Sequence, residues 1–149
     1  MANFKLINLK TNNMKRNATA VWNGDVKTGK GKISTQSKIL ENVQYSFKTR
    51  FEEGIGTNPE ELVAAAHAGC FTMQLSAYIG EEGHTIDHIQ TKCEINFVDG
   101  TIVGSHLIVE AKINGISNEN FQKLITKAEQ NCPISKLYNT KITSIATLV

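Results

Sequence analysis

The chain has 149 residues, near the commonest size of one domain, with 40% hydrophobic residues, 20% charged residues and two prolines. That balance excludes a disordered chain and a collagen-like one. A formal net charge of +2, carried by scattered lysines, is too mild to argue for nucleic acid.

The longest apolar stretch, about 61–68, is broken at His67, so no run approaches the ~20 apolar residues of a membrane span. Residues 1–13 lack the apolar core and small-residue cleavage site of a signal peptide. A soluble cytoplasmic protein is the expectation. Met14-Lys15-Arg16 resembles a second start. Residues 1–13 are therefore set apart as an N-terminal extension or a segment foreign to the natural chain, and residues 14–149 as one domain.

Residues 18–22 are strand-like, Asn23-Gly24-Asp25 is a turn signal, and residues 32–35 form a short strand candidate. Residues 44–51 alternate polar and aromatic side chains, a period of two that predicts a half-buried strand. The first third is thus expected to be a β-meander. Asn58-Pro59-Glu60-Glu61 then opens a helix, with Asn58 suited to the N-cap, Pro59 to the first position and Glu61 to the third. Residues 62–79 are rich in alanine and interrupted only by Gly69. A helix apolar on most sides predicts a buried central helix that other elements approach closely, ended by Gly80 and Gly83.

Two strands follow at 86–98 and 105–113, joined at Asp99-Gly100, a hairpin signal. Ser117 caps an amphipathic helix with Phe121, Leu124, Ile125 and Ala128 on one face. Cys132-Pro133 opens a short helical segment, and residues 141–149 close the chain as a strand. Strands separated by helices, without βαβ alternation, argue an α+β fold.

Two candidate sites are weak. Residues 24–30 match the first seven positions of a phosphate-binding loop, but Gly31 stands where the magnesium-binding hydroxyl belongs, so the stretch reads as a glycine-lysine turn. The histidines at 67, 84, 88 and 106 make no metal-ligand spacing on the long helix, and His67 reads as a hydrogen-bonded core histidine.

The three cysteines carry more. Their odd number and spacing fit neither a disulfide framework nor a zinc site, which leaves inert buried cysteines, a reactive thiol or a catalytic pair. Cys70 lies mid-helix, where burial raises a thiol pKa. Cys132 lies at a helix N-cap, where the dipole and open N–H groups favour a thiolate. A reactive Cys70 needs a cation beside it, for which Arg50, near the exposed end of a strand, is the candidate.

Several stretches together resemble the OsmC/Ohr family of thiol-dependent organic hydroperoxide reductases. They are Trp22-Asn23-Gly24-Asp25, Thr49-Arg50-Phe51-Glu52, Gly56-Thr57-Asn58-Pro59-Glu60-Glu61-Leu62, Ala65-Ala66-His67-Ala68-Gly69-Cys70-Phe71 and Asn131-Cys132-Pro133-Ile134-Ser135. The likeness runs from about Met14 to the C-terminus and leans to the OsmC branch. It implies an α+β OsmC-like fold, with an antiparallel meander and hairpin packed on the long helix and a second helix. It also implies an intertwined homodimer with the long helices near its two-fold axis.

The resemblance further implies roles. Cys70 matches the peroxidatic cysteine, Cys132 the resolving cysteine, Arg50 the arginine that stabilises the thiolate, and Glu60 the glutamate that orients it. Cys93 matches nothing and reads as structural. The implied activity is reduction of organic, and less well inorganic, hydroperoxides in oxidative or osmotic stress defence. The implied partner is an external dithiol of the dihydrolipoamide type or a lipoylated protein, with no bound cofactor or metal and no role for nucleic acid or membrane. Apolar neighbours (Phe71, Met73, Leu62, Phe51) suit an alkyl hydroperoxide. The competing reading is a thiol-based redox sensor or binding module of the same fold without turnover.

Overall fold

The computed structural model describes residues 13–149. Apart from Asn13, the expected extension at residues 1–13 lies outside the described residues. The described residues divide into two compact units, one ending at Pro59 and the other running from Glu60 to Val149.

In the first unit, β1 (Ala18–Asn23), β2 (Lys30–Thr35) and β3 (Val43–Tyr45) form an antiparallel meander in that spatial order. Gly31 of β2 is required by its neighbours: a Cβ there would lie 2.3 Å from the Tyr45 ring and 2.6 Å from the Trp22 ring. Residues 24–29 form a turn into β2, as the glycine-lysine turn reading expects. The Asp25 carboxylate accepts the N–H groups of Lys27 and Thr28, each at 2.9 Å, and the Thr28 hydroxyl. These bonds, the Thr28 hydroxyl first, hold its pKa below the usual carboxylate range. An acidic side chain thus occupies amides that a phosphate loop would offer to its anion.

The expected strand over 44–51 is cut short. β3 ends at Tyr45, and Phe47–Phe51 form a helical turn, α1. Ser46 and Thr49 make a reciprocal capping box, the Thr49 N–H donating to the Ser46 hydroxyl at 3.2 Å and the Ser46 N–H to the Thr49 hydroxyl at 2.8 Å. The Asn58 amide also donates to the Thr49 carbonyl at 3.1 Å. Local capping overrides the period-two pattern.

The second unit contains nearly all of α2 (Pro59–Glu81), which starts at the expected proline. Its end is a Schellman turn. Gly83, at φ +82°, supplies the left-handed residue, and the N–H groups of Gly83 and His84 reach back to the carbonyls of Gly80 and Ile79. By length and composition alone, which a core helix of a soluble protein also satisfies, α2 is long and apolar enough to cross a membrane, where the sequence showed no unbroken apolar run of that length. One stripe, His67, Phe71, Leu75 and Ile79, is wholly buried. The burial expected on most sides stops there: Ala65, Gly69, Met73 and Ala77 form an exposed stripe, and a Cβ on Gly69 would meet nothing within 4 Å.

β4 (Thr85–Val98) and β5 (Thr101–Asn114) form the expected hairpin, with Asp99 and Gly100 both at positive φ, the signature of a type I′ turn. β5 turns Ser105, Leu107, Val109, Ala111 and Ile113 inward. Ser117 caps α3 (Asn118–Asn131), which buries the predicted Phe121, Leu124, Ile125 and Ala128. α4 (Pro133–Leu137) follows at once, and β6 (Lys141–Leu148) pairs with β5 in parallel. The unit therefore contains one βαβ crossover, β5–α3–α4–β6, where no βαβ alternation was expected. A parallel neighbour needs a crossover of a dozen or more residues, and the two helices provide it.

Candidate active site

Two helices of the second unit meet with matched spacing. His67 and Cys70 lie about one turn apart on α2, and Cys132 and Ser135 are separated by the same interval at the start of α4. The two pairs touch. His67 Nε2 lies 2.8 Å from the Ser135 hydroxyl, and the Cys70 and Cys132 thiols share a hydrogen bond. All three cysteines are free thiols.

The backbone N–H of Ile134 also donates to Cys70. This corrects the expectation that the helix end serves Cys132. Cys132 is fully buried and makes no side-chain capping bond. Pro133 has no N–H to offer, so the next amide, that of Ile134, is the first open donor, and it meets the thiol on α2. A mid-helix cysteine thus receives an amide from another helix. Burial, and then the hydrogen bond with Cys132, push the Cys70 thiol up, while the Ile134 amide pulls it down.

His67 is 0% exposed, and burial pushes its pKa down. Its Nδ1 lies 2.6 Å from the Ser105 hydroxyl on β5, and that hydroxyl lies 3.2 Å from the Cys93 sulfur. The expected hydrogen-bonded core histidine is what the structure contains. Cys93 is half-buried, with its thiol pushed up by burial and eased down by Ser105. The Tyr138 hydroxyl donates to the Val63 carbonyl at 2.7 Å. Its pKa is pushed up to about 12, by burial first and then by the neighbouring thiols of Cys93, Cys132 and Cys70.

Arg50 lies in the last turn of α1, not at a strand end. In the first unit it lines an apolar cavity of about 470 Å³ with Trp22, Val26, Tyr45, Phe47 and Phe51, its guanidinium 5.1 Å from the centre of the Phe51 ring. Glu60 lies in the first turn of α2 and borders a second cavity, of about 390 Å³, with Glu61, Ala64, Cys93 and Ile95. Of the apolar residues expected beside Cys70, Phe71 is wholly in the core and Met73 is 77% exposed.

Residues 52–146 match the family model described as OsmC-like protein, a span that contains both Cys70 and Cys132. The chain belongs to the OsmC family. It is 44% identical to the peroxiredoxin OsmC of Escherichia coli strain K12 over 128 residues, 83% of this chain and 90% of that one. It is 32% identical to an organic hydroperoxide resistance protein of Xanthomonas axonopodis pv. citri over 100 residues, 64% of this chain and 68% of that one. An OsmC-like protein of Mycoplasma pneumoniae shares the OsmC fold at a TM-score of 0.74 and 16% identity, covering 92% of this chain and 99% of that one.

Sequence reasoning missed Ser105, Ser135, Tyr138 and the Ile134 amide. A serine carries no signal until its partner is known. The equal three-residue spacings His67–Cys70 and Cys132–Ser135 match across the paired helices, and the sequence reading made no use of them.

Proposed function

We propose that this chain is a cysteine-based peroxidase that reduces organic hydroperoxides to alcohols. The observation that carries the reading is the contact of the Cys70 and Cys132 thiols, with the Ile134 amide donating to Cys70. An oxidisable pair within one hydrogen bond is what a disulfide cycle needs. The relatives named as a peroxiredoxin and an organic hydroperoxide resistance protein support the same class.

In the proposed cycle the Cys70 thiolate attacks the distal peroxide oxygen. The O–O bond breaks, an S–O bond forms, and the alkoxide leaves as alcohol after taking one proton. Cys70 is then a sulfenic acid. The Cys132 sulfur displaces its hydroxyl group, which leaves as water with the thiol proton, and a disulfide forms. An external dithiol reduces that disulfide by exchange and is itself oxidised to a disulfide. Arg50 is assigned to the Cys70 thiolate and the leaving oxygen, and Glu60 to holding Arg50. The Ile134 amide offsets only part of the burial that raises the Cys70 thiol, so a cation remains necessary.

The exposed stripe Ala65, Gly69, Met73 and Ala77 supports a homodimer in which two copies of α2 approach closely. An isologous contact uses the same stripe twice. The working form proposed is a cytoplasmic dimer of one OsmC-like domain per chain, acting in stress defence.

Turnover tests the reading. With a small dithiol present, the protein should consume many equivalents of cumene or tert-butyl hydroperoxide, and hydrogen peroxide more slowly. Oxidation that stops after one equivalent would identify a sensor instead.

A further inference from the structure

α4 has five residues, too few to hold a helix by itself. Apolar burial holds it at its start, where Cys132 lies in the core and Ile134 packs against it. Leu137 is 73% exposed and Ile134 is half-buried, and the buried positions at this corner are Cys132 and Ser135. Polar pins supply what packing does not. Tyr138, just past the helix, donates to Val63 of α2. Ser135 is held by His67, and His67 is held in turn by Ser105 of the central strand β5 at 2.6 Å.

The ring is suited to this. A neutral imidazole has one donor nitrogen and one acceptor nitrogen, and a serine hydroxyl can answer either. Both nitrogens are used, and the side chain is fully buried. Ser105, His67 and Ser135 therefore form a rigid strut from the sheet to α4. The strut reaches α4 at the residue after Ile134, whose amide donates to Cys70, and three residues after Cys132.

We infer that Ser135, gripped by His67, is a positioning residue for both proposed half-reactions, keeping the Ile134 amide on Cys70 and the Cys132 sulfur within its reach. This rests on the proposed Cys70–Cys132 cycle. Neither Ser135 nor His67 touches the peroxide in this role; each acts through the placement of α4.

Ser135→Ala removes one hydroxyl and leaves the Tyr138 pin in place. The alkylation midpoint of Cys70, followed on its own peptide by mass spectrometry, should rise by about half a pH unit as the amide drifts from the sulfur. Disulfide closure should slow, so Cys70 should reach the sulfinic acid at peroxide doses that leave the wild type as disulfide. Ser135→Thr keeps a hydroxyl and should restore both. His67→Asn keeps a partner for Ser105 but is too short to reach Ser135, and should reproduce the Ser135→Ala behaviour. An alkylation profile or an overoxidation dose unchanged from wild type in Ser135→Ala would overturn the inference, even if the melting temperature falls. Cys70→Ser separates the two levels. If that variant still turns over, the cycle itself is wrong; if it is dead while Ser135→Ala behaves as wild type, only the positioning role is lost.

Discussion

The backbone N–H of Ile134 donates to the thiol of Cys70, although 64 positions separate the two residues in the chain. Two helices make this contact, one long and one of a single turn or so, and the same corner holds Cys132. An amide donor favours the thiolate form of a sulfur, and here it offsets part of the burial and of the Cys132 hydrogen bond that push the Cys70 thiol up. Cys132 receives no such bond through its N-cap position. On this asymmetry the proposed cycle gives attack to Cys70 and resolution to Cys132.

Cys70→Ser should therefore abolish peroxide consumption outright. Cys132→Ser should still form the sulfenic acid on Cys70 but fail to close a disulfide, and should accumulate sulfinic acid as peroxide rises. Intact mass after one peroxide equivalent distinguishes them: the wild type loses two hydrogens, whereas Cys132→Ser gains one oxygen. A Cys132→Ser protein that gains no oxygen would reverse the assignment.

Arg50→Ala should raise the Cys70 alkylation midpoint and slow peroxide attack at neutral pH by about two to three orders of magnitude, the scale of losing one charge-stabilising group. Arg50→Lys should recover part of that, because an ammonium lacks the planar fork that holds a carboxylate and a thiolate together. The check is a pH profile of iodoacetamide alkylation. An unchanged profile in Arg50→Ala would remove Arg50 from the site.

Much of this arrangement was legible in the residues. Ser117, the Phe121–Ala128 face, the Asp99-Gly100 turn and the start of α2 at Pro59 each depend on neighbours within a few positions, and each is found where the sequence placed it. α1 was not legible, because two signals compete over the same residues. Aromatic alternation favours a strand, and the Ser46–Thr49 box favours a helical turn, and the box wins. The parallel pairing of β6 was hidden because strand direction is set by the crossover rather than by any residue of the strand. At the site, residue types made Cys70 and Cys132 candidates, and the family resemblance implied their roles. The direction of the Ile134 amide and the His67–Ser135 contact depend on how α4 docks, which no local pattern encodes.

His67 makes stability depend on acidity. Burial holds its pKa below the ordinary value of 6.5, so as the pH falls the unfolded ring takes a proton before the folded ring does. The unfolded state then binds more protons, and stability falls as pH drops below 6.5, by at most about 1.4 kcal/mol per pH unit. Above that value the group contributes no slope. Urea midpoints at pH 7.5 and pH 5.5, compared between wild type and His67→Gln, check this. The wild type should lose more on acidification, and equal losses would contradict the buried neutral ring.

Gly69 tells whether α2 is covered in solution. In a solvent-exposed helix interior, Gly69→Ala gains about 1 kcal/mol in propensity. Against a tightly apposed second copy, the added methyl overpacks the contact by about 1–3 kcal/mol. The proposed dimer predicts the second outcome. Light scattering during size exclusion should show Gly69→Ala dissociating at concentrations where the wild type is dimeric. A more stable protein with unchanged association would place another surface at the two-fold.

The last prediction concerns which chain supplies Glu60. Glu60 and Cys70 are ten residues apart on α2, about 15 Å along the axis and about 80° apart around it. A glutamate side chain does not span that distance, and an arginine bridging both within one chain would be stretched. If Glu60 orients the arginine that serves Cys70, two antiparallel copies of α2 crossing at a two-fold axis offer the shorter route, with Glu60 of one beside Cys70 of the other. An isologous dimer forms two such sites at once. Mixing inactive Cys70→Ser with inactive Glu60→Ala under subunit exchange tests this. Half of the dimers in an equal mixture are hybrids, and each hybrid holds one intact site and one doubly altered site, so activity should return to about a quarter of wild type. Hybrids shown to form by native mass spectrometry, yet without activity, would place both residues of each site in the same chain.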